Sequence, residues 1–220
     1  SGKPPTVPLN LVGDFGGGAM FLAFGVVSAL LEARGSGKGQ VVDAAMVDGS
    51  LSLMAAVFGN WQAGHWDDRR RANLLDGGAH FYTTYETADG RAVAVGAIEA
   101  RFYQALLKGL GLDAGALPPQ HDRAMWPALR ARIAQIFLGH TRDHWCAVFE
   151  GTEACVTPVL SLTELQGHPH LAERGSFVEI DGVVHPAPAP RFSRTPAQLP
   201  SAAPERGAFG TQVLNEWGVI

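Results

Sequence analysis

Cysteine is scarce in this chain, with Cys146 and Cys155 the only two among 220 residues. The pair fits no zinc spacing and no disulfide framework, so two buried thiols in a reducing compartment are expected. Charge is sparse as well, at 17% of residues with a net of −4. Lacking a basic excess, the chain has no electrostatic footing for non-specific nucleic-acid binding. No charged-then-apolar leader opens it. The most apolar run, Ala19 to Leu31, is interrupted by Gly25 and Ser28 and is too short to span a bilayer. These absences predict a soluble protein of the cytoplasm or an organelle matrix, with neither nucleic acid nor membrane as a partner.

Several reactive motifs are missing too. Asp48-Gly-Ser50 lacks the flanking glycines of a nucleophile elbow. Arg34-Gly-Ser-Gly-Lys-Gly-Gln40 resembles a phosphate loop but has Glu32 where the first glycine belongs and Gly39 where Ser or Thr is required. It also follows a helix and precedes a strand, the reverse of the needed order, so Gly35 is read as a helix C-cap. Eight histidines form no metal site. His168-Pro-His170 has no carboxylate at ligand spacing and reads as a surface loop, and His140 and His144 have no intervening Glu. His80, near a domain crossing, is the one histidine of interest.

What is present is an ordinary core-forming supply, 46% hydrophobic, with 27 glycines and 14 prolines. Asn10-Leu-Val-Gly-Asp-Phe-Gly-Gly-Gly18 leads into an apolar helix over about Ala19 to Arg34. Apolar nearly all round, that helix is expected to be buried. Asp14 stands at the mouth of three glycines at the expected helix start, where free amides and a positive dipole end suit a proton-abstracting base beside an oxyanion. The competing reading is a helix cap followed by a tight turn.

The remaining elements follow from periodicity and punctuation. Gln40 to Ala45 reads as a short buried strand, and Val47 to Trp61 as a second apolar helix. Trp66 to Arg71 is a charge cluster, read as a solvated crossing between domains. Phe81 to Glu86 and Arg91 to Val95 form a hairpin about Ala88-Asp89-Gly90. Helices are expected over Ala100 to Leu110, Trp126 to Leu138 with Pro127 in the first turn, and Arg142 to Phe149 capped by Thr141. Ser161-Leu-Thr-Glu164 is a capping box, and Phe177 to Ile180 with Val183 to His185 a second hairpin. Pro186 to Pro204 is an extended strap, and Gly207 to Ile220 a terminal helix anchored by Val213, Leu214 and Trp217. Glu99, between a strand and a helix, reads as an inter-domain cleft residue or as an acid complementing the helix dipole.

The stretches Asn10 to Gly18, Arg34 to Met46, Asn73-Leu-Leu-Asp-Gly-Gly78, Tyr85-Glu-Thr-Ala-Asp-Gly90, Val95-Gly-Ala-Ile-Glu99, Ala154 to Leu160 and Val183 to Ser193 closely resemble the α-methylacyl-CoA racemases of the CaiB/BaiF, or class III, CoA-transferase superfamily. The resemblance implies an α/β fold: residues 1–60 as the C-terminal part of a large, partly Rossmann-like CoA-binding domain, 61–75 as a crossing, 76–185 as a smaller α+β domain, and 186–220 as a returning strap and helix. It implies an isomerase of lipid metabolism that inverts the α-carbon of a 2-methylacyl-CoA thioester between two bases. Asp14 matches the catalytic aspartate and Glu99 the glutamate that orients the catalytic histidine. Asn10, Gly16, Gly17, Met46, Tyr82 and Ile98 are the expected substrate-binding residues. The histidine itself lies upstream of the motif in relatives, in a Gly-His-Asp sequence absent here, so a preceding N-terminal segment is expected. An interlocked homodimer is implied, with no metal and no cofactor beyond the CoA of the substrate. Alternatives are a CoA transferase with Asp14 as acyl nucleophile, or a fragment inactive without an N-terminal partner.

Overall fold

The computed structural model describes residues 6–219. It falls into two compact units, one running through Pro158 and the other from Val159 onward. In the first, a π-helix over Leu11–Met20 continues without a break into α1, Phe21–Ser36. Gly37, at φ +75°, ends the helix by accepting the left-handed conformation there. The stop thus falls two residues beyond Gly35, which remains helical. The 26-residue run, Leu11–Ser36, is long and apolar enough by composition to cross a membrane. The sequence argument from length against such a crossing therefore does not stand.

Three further expectations change. Residues 40–45 are extended but enter no sheet. They run beside α1, where Val42 Cγ1 lies 2.8 Å from the position a Cβ on Gly25 would take. A strand requires a neighbouring strand to satisfy its amides and carbonyls, and the described residues provide none there. The second apolar helix is two, α2 over Met46–Leu53 and α3 over Ala55–Gln62, divided at Met54. The π-helix and α1 are also not buried: Phe24 is 75% and Leu31 71% exposed. Between Leu11 and Gln62 the only buried residues are Gly17, Gly18 and Gly49.

The core of this unit lies further along the chain. Strands β1 (Tyr82–Glu86) and β2 (Ala92–Gly96) pair antiparallel in the register Tyr82↔Gly96 to Glu86↔Ala92. β3 (Val156–Val159), which sequence patterning had not suggested, adds to the far side of β2. Alternation sends Val93 and Val95 inward, with Tyr85 from the partner strand and Phe81 just before that strand. Helices α4 (Ala100–Gly109), α5 (Trp126–Phe137) and α6 (Arg142–Phe149) supply Leu106, Leu107, Ile133, Phe137, Trp145 and Phe149 to the same cluster. Tyr85 stacks on Phe137 at 5.1 Å, and Trp145 meets Phe137 edge-on at 5.0 Å. Pro127 sits in the first turn of α5, and the Thr141 hydroxyl accepts the His144 amide at 3.3 Å to cap α6, both as expected.

The second unit contains α7 (Leu162–Leu165), opened by the expected capping box, and α8 (Pro169–Glu173). His168 occupies the N-cap position of α8, without a side-chain capping bond, and His170 lies within the helix, where a surface loop had been expected. β4 (Phe177–Ile180) and β5 (Val183–Pro186) form the second hairpin, turned at Asp181 and Gly182, both at positive φ. Extended chain follows, then α9 over Gly210–Glu216.

Candidate functional site

Asp14 lies inside the π-helix rather than before a helix, and its carboxylate is exposed. Asn10 is the N-cap residue, makes no capping hydrogen bond through its side chain, and accepts the Phe15 amide on its carbonyl at 3.2 Å. Gly16, Gly17 and Gly18 are helical, so their amides belong to the helix ladder and are not free donors at a turn. Their lack of side chains serves a different purpose. A Cβ on Gly17 would come within 2.8 Å of the Ser50 amide and 3.0 Å of the Met46 carbonyl, and one on Gly18 within 3.0 Å of Met46 Cγ. The glycines allow α2 to lie directly on the π-helix, which places Met46 beside the segment bearing Asp14. Asn10, Asp14, Gly16, Gly17 and Met46 are therefore one local group.

Tyr82, Ile98 and Glu99 form a second. Tyr82 opens β1 opposite Gly96, and Ile98 and Glu99 follow β2. The turn is held by several bonds: Gly96 donates to the Cys155 carbonyl at 2.9 Å, Ala97 to Phe81 at 2.9 Å, and the Gln120 Nε2 to Ala97 and Ile98 at 3.1 and 2.8 Å. Glu99 occupies the N-cap of α4 with its side chain exposed and not engaged as a cap. An open groove of about 910 Å³ brings Tyr82 together with Leu75, Gly96, Cys155 and Thr157. Cys155 had been expected as a buried thiol. It is exposed, in a left-handed backbone conformation with φ +51°, and partial desolvation, then the Glu99 and Glu153 charges, push its thiol pKa up. Among the described residues no hydrogen bond or ion pair joins this group to the first.

His80 belongs to the core. It is completely buried, its Nε2 lies 2.8 Å from the Tyr103 hydroxyl, and its Nδ1 has no partner. Burial, then the charges of His121 and Arg130, pushes its pKa down to about 4. It is thus a neutral imidazole near neutral pH. His140 and His144 stack face to face at 4.0 Å, and no cluster of three metal-ligating side chains occurs among the described residues.

Asp68 to Arg71 are exposed, and the Asp67 to Gly78 segment is held by its own hydrogen bonds. Asp67 and Asn73 exchange hydrogen bonds at 2.8 Å each way. The Asp76 carboxylate accepts the amides of Ala72, Asn73 and Gly78 at 3.1, 2.9 and 3.0 Å. The sequence signal for this clamp was the Asn73-Leu-Leu-Asp76 spacing, whose Asx-type bonds hold a loop locally.

The profile of CoA-transferase family III matches residues 1–209. The chain belongs to that family. Within family III it is 49% identical to the alpha-methylacyl-CoA racemase of Mus musculus and 45% identical to that of Homo sapiens, in each case over 99% of its length. It spans 58% of the length of each racemase. A CaiB/BaiF family protein from Brucella suis shares the fold, with a TM-score of 0.75 at 21% identity over 97% of this chain and 57% of its own. The mixed α/β architecture of this chain is accordingly that of a family III protein.

Proposed function

We propose that this chain carries part of the machinery of an α-methylacyl-CoA racemase, which inverts the α-carbon of a 2-methylacyl-CoA thioester by proton transfer through an enolate. The observation that carries the reading is the 45–49% identity to two such racemases over nearly the whole chain. The exposed Asp14 carboxylate abstracts the α-proton on one face. As charge moves onto the thioester oxygen, the Asn10 side chain and the unpaired first-turn amides of the π-helix are the donors nearest in sequence to stabilise it. Glu99, on its pinned turn, orients the opposing base, a histidine in the part of the racemases' length that these residues do not span. Met46, Tyr82 and Ile98 line the acyl path. No metal takes part, and CoA enters only as part of the substrate.

The test is solvent deuterium incorporation at C2 of 2-methylacyl-CoA thioesters, made on the full-length protein. Asp14→Asn should lower exchange by several orders of magnitude, while Glu99→Gln should leave a smaller residual rate than wild type. Near-normal exchange in Asp14→Asn removes the base assignment. Trapping of an Asp14 acyl species by hydroxylamine would replace isomerisation by acyl transfer.

A further inference from the structure

The loop between α3 and β1 borders an open cavity of about 740 Å³ whose walls include Asp67, Arg69, Arg71, Arg123 and Trp126. Its charges are unevenly compensated. Arg69 is spent on Asp67, with Nε 3.0 Å from both carboxylate oxygens and the terminal nitrogen 2.6 Å from one. Arg71 and Arg123 donate only to neutral oxygens among the described residues. Arg71 Nε reaches the Gly77 carbonyl at 3.3 Å, and Arg123 reaches the His65 carbonyl and Asn73 Oδ1 at 3.4 Å each. Arg123 also lies over the Trp126 ring at 5.5 Å. Behind the wall, Arg130 donates to the Gly78 carbonyl at 2.7 Å. Neutral acceptors fix a guanidinium in place without cancelling its charge. The Asp76 carboxylate beneath the loop is already occupied by three backbone amides.

Arg71 holds φ +57°, a conformation that glycine takes freely and a residue with a Cβ does not. Such strain persists where the surroundings impose it, and it gathers at sites that use the side chain. Here the clamp through Asn73 and Asp76 imposes it, and the result aims a guanidinium at an open cavity.

We propose that this cavity binds a phosphate-bearing anion of the pyrophosphate type, with Arg71 and Arg123 as its principal ligands. Guanidinium groups suit such oxyanions because their donors match two phosphate oxygens at once. The diphosphate has two sources, a free nucleotide or the nucleotide portion of a CoA thioester. The assignment is independent of the racemase reading, since it is read by binding and not by turnover.

The experiment is isothermal titration of the 220-residue chain with inorganic pyrophosphate, ADP, CoA and adenosine, at low and high salt. Pyrophosphate binding that weakens with salt is expected, with none for adenosine. Tighter binding of CoA than ADP assigns the CoA source, and the reverse assigns the free nucleotide. Arg71→Gly should weaken pyrophosphate about tenfold or more while its thermal midpoint stays level or rises, because glycine suits the backbone. Arg71→Gln, which keeps the strained residue and removes the charge, should show the same loss. Absence of pyrophosphate binding by the unmodified chain, or undiminished binding by both variants, overturns the site.

Discussion

His80 shows at the level of one residue how burial fixes a protonation state. Its ring is sealed among Phe81 and Tyr103, with one nitrogen bonded to the Tyr103 hydroxyl and the other bonded to nothing. A charged imidazole there would lack both water and a counter-ion, so the folded pKa lies at about 4 against 6.5 for the free side chain. Between those values the unfolded chain binds a proton that the folded chain refuses. Stability contributed by the neutral ring is therefore complete above pH 6.5 and is lost as the pH falls towards 4, by about 2 to 3 kcal/mol. Urea denaturation of the first unit at pH 7 and pH 4.5 measures that loss, and His80→Gln should flatten the slope through this window. An equal pH dependence in the variant would assign the loss to carboxylates instead.

At the scale of elements, the π-helix and α2 pack backbone against backbone. A Cβ on Gly49 would fall within the Gly17 carbonyl group, which is backbone and has no rotamer with which to yield. Gly49→Ala should therefore destabilise the helix pair by about 2 to 3 kcal/mol, seen as lost amide protection in Leu11–Met20 and Met46–Leu53. Gly59→Ala on α3 meets no atom within 4 Å and should instead stabilise by about 0.5 to 1 kcal/mol through helix propensity alone. The same pair explains what the sequence made legible and what it did not. The hairpin about Gly90, the Pro127 start of α5, the Thr141 cap and the Ser161 capping box were readable because each rests on residues within one turn of one another. The glycines at 16 to 18 were read as a ligand-facing turn, because only the distant Met46 to Ser50 segment reveals that their partner is another helix. β3 escaped notice because its four residues, with Pro158 among them, acquire a strand's geometry only beside β2. Tyr82 and Glu99 were recognisable from their motifs, but Gln120, which pins the turn between them, lies 22 residues beyond Ile98 and carries no local signal.

Over the whole molecule, apolar character and burial are divided between different parts of the chain. Residues 79–154 contain both faces of their own core, so Phe81, Phe137 and Ile133 are sealed. The helices before Gln62 are as apolar as any part of the sequence, yet Met20, Phe24, Val27 and Leu31 are each more than 60% exposed. A helix apolar on every side needs neighbours on several, and here α2 lies on the π-helix and residues 40–45 run beside α1, leaving most of the apolar side chains of α1 open among the described residues. Contiguous exposed apolar surface of this kind is a surface for association. In isolation the 220-residue chain should therefore sediment above its monomer mass of 23.3 kDa and bind a dye that reports apolar surface. Phe24→Lys combined with Leu31→Glu should diminish both effects while leaving the near-ultraviolet signal of the Phe137 and Trp145 cluster unchanged, because neither position touches that core. A monomer with no dye binding, in the unmodified chain at micromolar concentration, would mean that the helices before Gln62 find cover within these same residues.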